Sequence, residues 1–355
     1  MTISRHQPAH GHIVNPAIHY CRQMPELPIM RVRYAANFTM ALERLGARAD
    51  PYLEQAHIDP AVLKSVDNFM PVSQLHRFVA AAVEDTGLTQ LGIETGLSPR
   101  QRHSEFSRQV AVASTLANSL NTVCTNARSE DGSASFELFR RQSLVWLCCG
   151  RVDGPEEAVR AVETYRYGAL LEIIRYATGP KWLPPKLAFQ SAEASRLTNL
   201  PPFKGVDIVW ESAELAIAIP ARLLEHAIAP GQHLEKFMRR QPSRRLRKPI
   251  SYREAMIEVI KTNMRVNRFR LADLAACLGA PTRTLQRSLA AHDLTFSGLL
   301  DEARTESAQL LLTESSLKLA EIAAQLGYRH STHFSRAFKK NCGFAPRDYR
   351  REHHA

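Results

Sequence analysis

Along the stretch from Leu319 to Arg350, LAEIAAQLGYRHSTHFSRAFKKNCGFAPRDYR, apolar residues return with a helical period that is interrupted twice. Leu319, Ile322, Ala323 and Leu326 follow the i, i+3, i+4, i+7 spacing of a one-faced helix, and Gly327 stops it. A second helix must start almost at once, because Phe334 and Phe338 lie one turn apart while Ser331, Thr332, Ser335, Arg336 and Lys339 fall on the opposite face. That face is polar and cationic. The pattern predicts two short helices joined by a glycine turn, the second presenting hydrogen-bonding side chains to solvent, and a short closing helix after Pro346.

The same pattern stands once more upstream. Leu271, Leu274, Ala275 and Leu278 repeat the first spacing, and Gly279 precedes Gly327 by 48 residues. Leu285 and Leu289 precede Phe334 and Phe338 by 49, so the second turn holds one extra residue, and Arg287 corresponds to Arg336. A duplication at this many matched positions is much harder to reach by chance than a single helix-turn-helix pattern. Between the copies, Phe296, Leu299, Leu300, Ala303, Leu310 and Leu311 predict a connecting helix from about Ser297 to Leu312. At ~1.5 Å per residue it separates the two units by roughly 24 Å. Ahead of both, Ser251 opens a helix, with Glu254 placed to complete a capping box and Met256, Ile257 and Ile260 to bury.

The first two thirds of the chain have a different texture. Residues 1–30 mix His, Pro, Arg and Gln without period and read as a disordered or loosely docked tail. Helical spacing then marks Phe38, Ala41, Leu42 and Leu45, ending at Gly46, a second short helix before Pro60, and a helix from Val72 to about Thr86. A further helix is expected over residues 111–128. The period changes at Ser133 to Arg140 and Ser143 to Gly150, which predict a hairpin around the polar pair Arg141 and Gln142. A long helix from Pro155 to about Thr178 and three short strands, at Lys186 to Ser191, Asp207 to Trp210 and Leu215 to Ile219, complete the picture. Residues 31–229 thus predict an α+β domain with a small antiparallel sheet, whose apolar strands around Val145 to Cys149 and Leu187 to Phe189 form core in preference to lining a pocket. Residues 230–250, proline-flanked and rich in Lys and Arg, read as a basic linker, and residues 251–355 as an all-α domain.

Charge sharpens this division. Residues 1–230 hold 23 Lys+Arg against 23 Asp+Glu, whereas residues 231–355 hold 23 against 12, so the whole net charge of +11 lies in the last third. A surplus confined to one domain is the footprint of a polyanion binder. The six cysteines form no CxxC pair and no metal-ligand spacing with His, which predicts reduced structural thiols. No apolar run reaches the roughly 18 residues of a membrane span, and the chain has no signal-peptide pattern, so a cytoplasmic location is expected.

The last hundred residues resemble the DNA-binding domain of AraC/XylS-family transcription regulators. The run IAAQLGYRHSTHFSRAFKKNCGFAPRDYR matches the family signature of Ile-Ala, Gly-aromatic, Phe-Ser-Arg, Phe-Lys, Gly, and Pro before Tyr-Arg, and LADLAACLGAPTRTLQRSLA is equally family-like. Residues 31–230 look like the amino-terminal effector or dimerisation domain of one subgroup. Three positions depart from the pattern. Pro281 replaces a small polar cap, which predicts that Thr282 caps the helix and that it starts a residue late. Asp293 stands where Gly is usual, which asks a non-glycine residue to turn left-handed, and Ala345 replaces a Ser or Thr before Pro346.

The resemblance implies a bacterial one-component activator that binds an asymmetric double-stranded DNA site with one module in each of two segments, contacts RNA polymerase, and responds to a small-molecule effector or to homodimerisation through its amino-terminal domain. By residue type, base-edge contacts fall to Arg283, Gln286 and Arg287 in the first module and to Ser331, Thr332, Ser335 and Arg336 in the second. Lys339, Lys340 and Arg347 suit phosphate. Arg287 and Arg336, retained in both copies, admit a second role as ion-pair partners inside each module. No cofactor is expected, and His330 and His333 lack the pattern of a metal site. The chain contains no P-loop, GxSxG, HExxH or dinucleotide fingerprint, so no enzyme is predicted. The rivals are a non-specific nucleoid-associated protein and a DNA-modifying enzyme with an appended module, the latter weakened by the missing zinc-type cysteines.

Overall fold

The computed structural model describes residues 28–98, 109–110, 113–228, 251–264 and 269–353. The segment read as a basic linker and nearly all of the segment read as a tail lie outside these.

The described chain opens on a strand, β1 (Ile29–Arg31), followed by α1 (Val32–Arg44), α2 (Asp50–Gln55), β2 (Phe69–Pro71), α3 (Val72–Thr86), α4 (Leu91–Gly96) and α5 (Leu116–Asn126). The end of the expected tail is therefore ordered: Ile29 to Arg31 pairs antiparallel with Phe69 to Pro71. Three residues in each strand are too few to leave a period-2 signature, which is why the pattern along the sequence does not show them. The hairpin β3 (Phe136–Arg141) and β4 (Leu144–Cys149) turns at Gln142 and Ser143, one residue later than expected, with Gln142 at φ 55° in the left-handed region. The long helix α6 (Glu156–Thr178) leads to β5 (Lys186–Ala188), β6 (Asp207–Val209) and β7 (Leu215–Pro220).

These strands form one five-stranded sheet in the order β3-β4-β7-β5-β6. It is mixed, where an antiparallel sheet was expected. The chain between β5 and β6 crosses over through a helical turn at Ser195–Thr198, so the two edge neighbours pair in parallel. Leu147, Cys149, Leu187 and Phe189 are buried against α6 as core, and Val145 is buried as well. α6 is shared by two cores, with Ala161 and Tyr165 meeting α1 to α3 and Tyr167, Leu170, Leu171 and Ile174 meeting the sheet. α4 crosses it in near backbone contact: a Cβ on Gly92 would stand 2.1 Å from the Ala161 carbonyl oxygen. Glu163, fully buried, accepts from the Gln190 and Ser191 amides at 2.7 and 3.0 Å; burial pushes its carboxyl up and those amides pull it back.

The remainder is all helical, comprising α7 (Tyr252–Asn263), α8 (Leu271–Leu278), α9 (Thr282–Ala291), α10 (Phe296–Glu314), α11 (Leu319–Gln325), α12 (Ser331–Cys342) and α13 (Pro346–His353). The capping box at Ser251 and Glu254 forms as expected. One apolar cluster joins all seven helices, and it also includes Ile29 and Phe69. The β1–β2 ribbon is a two-faced joint. Its alternation sends Met30 and Met70 into the amino-terminal core and Ile29 and Phe69 into the helical domain, where the Thr262 hydroxyl of α7 donates to the Phe69 carbonyl at 2.7 Å.

Among the described residues no helix is long and apolar enough to cross a membrane. The described cysteines are free thiols, and burial pushes Cys124 and Cys277 up to about 11 and Cys148 up to about 12, which keeps them protonated.

Candidate nucleic-acid interface

Each module is built around a short scaffold helix, a left-handed glycine and a second helix. The scaffold helices α8 and α11 start alike, with the carboxylates of Asp273 and Glu321 accepting from the Arg270 and Lys318 amides at 2.7 and 2.6 Å. These pairs again differ by 48 residues. The turns match too. Gly279 and Gly327 sit at φ 67° and 76°, and the amides that follow, Ala280 and Tyr328, donate to the Ala275 and Ala323 carbonyls at 3.0 and 2.9 Å. A side chain at either glycine would resist that φ, which explains the glycine in both copies.

The second helices then dock through two buried residues each, Leu285 and Leu289 in α9, Phe334 and Phe338 in α12. With only these fully buried, one face of each helix is left to solvent. In α9, Arg283, Gln286 and Arg287 are exposed and their side chains make no hydrogen bond or ion pair with any described residue. In α12 the same holds for Thr332, Arg336, Lys339 and Lys340, and in α13 for Arg347. Arg287 and Arg336 thus are not held as ion-pair partners inside the modules. Ser331 is half-buried, and so is Ser335, whose hydroxyl donates back to the Ser331 carbonyl at 2.9 Å. Arg329 is exposed just before α12.

Pro281 does precede α9, but the helix begins at Thr282, which matches the start of α12 at Ser331, so it does not start late. Thr282 occupies the first helical position and caps nothing, and His330 likewise makes no side-chain cap for α12. Asp293 adopts φ 55°, the left-handed turn its position demands, where Gly343 at φ 80° closes α12 without a Cβ. The helix linking the modules, α10, runs for 19 residues, about 28 Å at ~1.5 Å per residue. His330 and His333 have ring centroids 5.7 Å apart, and no group of three or more metal-type ligands occurs among the described residues.

Two exposed, cation-bearing second helices on duplicated scaffolds, carried behind an α+β domain, define a helix-turn-helix DNA-binding regulator. Comparison with known proteins agrees. A model described as the arabinose-binding domain of AraC transcription regulator, amino-terminal, matches residues 46–228, and one for a helix-turn-helix domain matches residues 274–352. The chain belongs to the AraC family and is a DNA-binding transcription regulator. It is 23% identical over 337 residues to the ornithine utilization regulator of Pseudomonas aeruginosa, covering 91% of this chain and 96% of that one. It is 35% identical over 95 residues to the transcriptional activator NphR of a Rhodococcus species, a match that takes in 27% of this chain and 28% of the relative. Among solved structures, the transcriptional regulator CdpR from Pseudomonas aeruginosa aligns over 88% of this chain and 97% of its own, with a TM-score of 0.39 and 19% identity.

Proposed function

We propose that the protein is a one-component, sequence-specific activator that inserts α9 and α12 into successive major grooves of one DNA site. The observation that carries this reading is the pair of duplicated helices whose outward Arg283, Gln286, Arg287, Thr332, Arg336, Lys339 and Lys340 side chains have no partner among the described residues, as a surface meant for another molecule requires. Arg283, Gln286 and Arg287 supply base-edge contacts from α9, and Thr332, Arg336 and the shorter Ser331 and Ser335 supply them from α12. Lys339, Lys340 and Arg347 hold phosphate and fix the register. Residues 31–229 act as the effector-binding and dimerisation domain and residues 251–355 as the reader, joined by the basic segment 230–250. The effector is a small molecule, and bound protein recruits RNA polymerase.

Genome-wide immunoprecipitation of bound DNA, followed by titration of a recovered fragment against random duplex over a range of salt, tests this reading. A regulator of this kind exceeds its non-specific affinity by about 10³ or more. Equal affinity for both duplexes would favour a nucleoid-associated protein instead.

A further inference from the structure

The two modules close their turns with different partners. In module two the carbonyl at the end of the scaffold helix, Leu326, accepts from Nε of Arg304 at 3.1 Å, and the same guanidinium lies 4.7 Å from the centre of the Tyr328 ring. Arg304 belongs to α10, within the DNA-binding domain. At the repeat offset of 48 residues, the position of Arg304 in module one is Met256, buried in α7 and unable to donate. Tyr328 becomes Ala280 at the same offset. Among the described residues, module one therefore supplies no cation of its own to the end of α8.

The amino-terminal domain supplies one. Arg77 of α3 donates through Nη2 to the carbonyls of Ala276 and Cys277 at 3.1 and 2.8 Å, and Ser73, one turn earlier, donates to Leu278 at 3.2 Å. Leu278 is the counterpart of Leu326 at the offset of 48. The guanidinium sits against the turn itself, since a Cβ on Gly279 would stand 2.2 Å from Nη1 of Arg77. The terminal carbonyls of a helix carry partial negative charge, so a half-buried cation placed there both satisfies them and complements the helix dipole. The contact leaves the outward side chains of α9 exposed, so it braces module one from behind and does not cover the surface that reads DNA.

We propose that Arg77, aided by Ser73, is a positioning residue for DNA recognition: module one is completed by the amino-terminal domain, whereas module two is complete by itself. Anything that shifts α3 is then felt at the turn before α9 and not at the turn before α12. This rests on the reading of α9 and α12 as the DNA-contacting helices.

The test uses the full chain carrying Arg77→Ala, Arg77→Lys or Arg304→Ala, with amide hydrogen exchange of the free protein and affinity for a DNA fragment recovered from the genome. Arg77→Ala is expected to speed exchange over residues 271–291, leave residues 319–342 at the wild-type rate, and weaken specific binding about tenfold, within the usual range of coupling between domains. Arg304→Ala is expected to reverse the pattern of exchange. Arg77→Lys keeps the charge and restores part of both signals. Unchanged exchange over 271–291 in Arg77→Ala, unchanged affinity, or an equal rise in exchange across both modules would each overturn the proposal. Arg283→Ala is measured in parallel: equal losses on specific and random DNA would remove the base-reading role of α9, while the Arg77 result would still stand or fall on its own exchange and affinity.

Discussion

Module one and module two share a backbone plan and differ in what holds it. Both have the carboxylate at the start of the scaffold helix, the left-handed glycine, and two apolar anchors on the second helix. Module two surrounds its anchors with aromatic rings: Tyr328, Phe334, Phe338 and Tyr349 form a chain with centroids 5.4 to 5.8 Å apart. It closes its turn with its own arginine and ends α12 on Gly343. Module one anchors α9 with two leucines, ends it on a strained Asp293, and borrows Arg77 and Ser73. On the outside the contrast is reversed, because the proposed base-edge side chains of α9 are the long Arg283, Gln286 and Arg287, whereas those of α12 are the short Ser331, Thr332 and Ser335 with Arg336. The module with more to say to a base edge is the one less able to hold itself in place. On the proposed assignment of base contacts, the half with the longer base-edge candidates is the one braced by the amino-terminal domain.

The largest expected effect lies in the aromatic chain. Phe338→Ala should cost about 3–5 kcal/mol, while Leu289→Ala falls in the range of about 2–5 kcal/mol for a buried leucine. Urea denaturation of both variants ranks them, and a cost for Leu289→Ala above that of Phe338→Ala would break the view that module two is the better packed. Next, Arg283→Ala should weaken specific binding by about 1–3 kcal/mol and relax preference at one base pair, against about 1 kcal/mol or less for Thr332→Ala. Titration on single-base variants of a recovered site would reverse the assignment if Thr332→Ala lost more discrimination. Lys339→Ala should lower affinity for every sequence and reduce the salt slope by about one unit. A loss confined to one sequence would move Lys339 from phosphate to base. The smallest change is a gain: Asp293→Gly relieves the left-handed strain and should raise stability by up to about 1 kcal/mol, offset in part by the entropy of glycine. A fall in the melting midpoint would mean the Asp293 side chain contributes more than its strain removes.

Much of this was written locally. The capping box at Ser251, the duplicated glycines, the left-handed Asp293 and the outward position of Arg283, Gln286, Arg287, Arg336 and Lys339 follow from period and turn chemistry, because a short helix with two apolar anchors has only one way to face a core. The charge split pointed to the same half of the chain. Where reading one element at a time failed, the deciding contact came from far along the sequence. The parallel pairing of β5 with β6 depends on how the intervening chain crosses over, and the strand Ile29–Arg31 exists only because Phe69–Pro71 lies beside it.

By itself, then, the sequence determined that two helix-turn-helix units stand in tandem in a basic domain, because helical period, glycine turns and net charge are properties of neighbouring residues. Only the tertiary structure decided that the units are unequal in their supports. Arg77 lies about 200 residues before the carbonyls it holds, and no local pattern distinguishes it from any other arginine on an amphipathic helix. What gives it a role is the β1–β2 ribbon, whose two faces belong to two cores and so bring α3 against the end of α8.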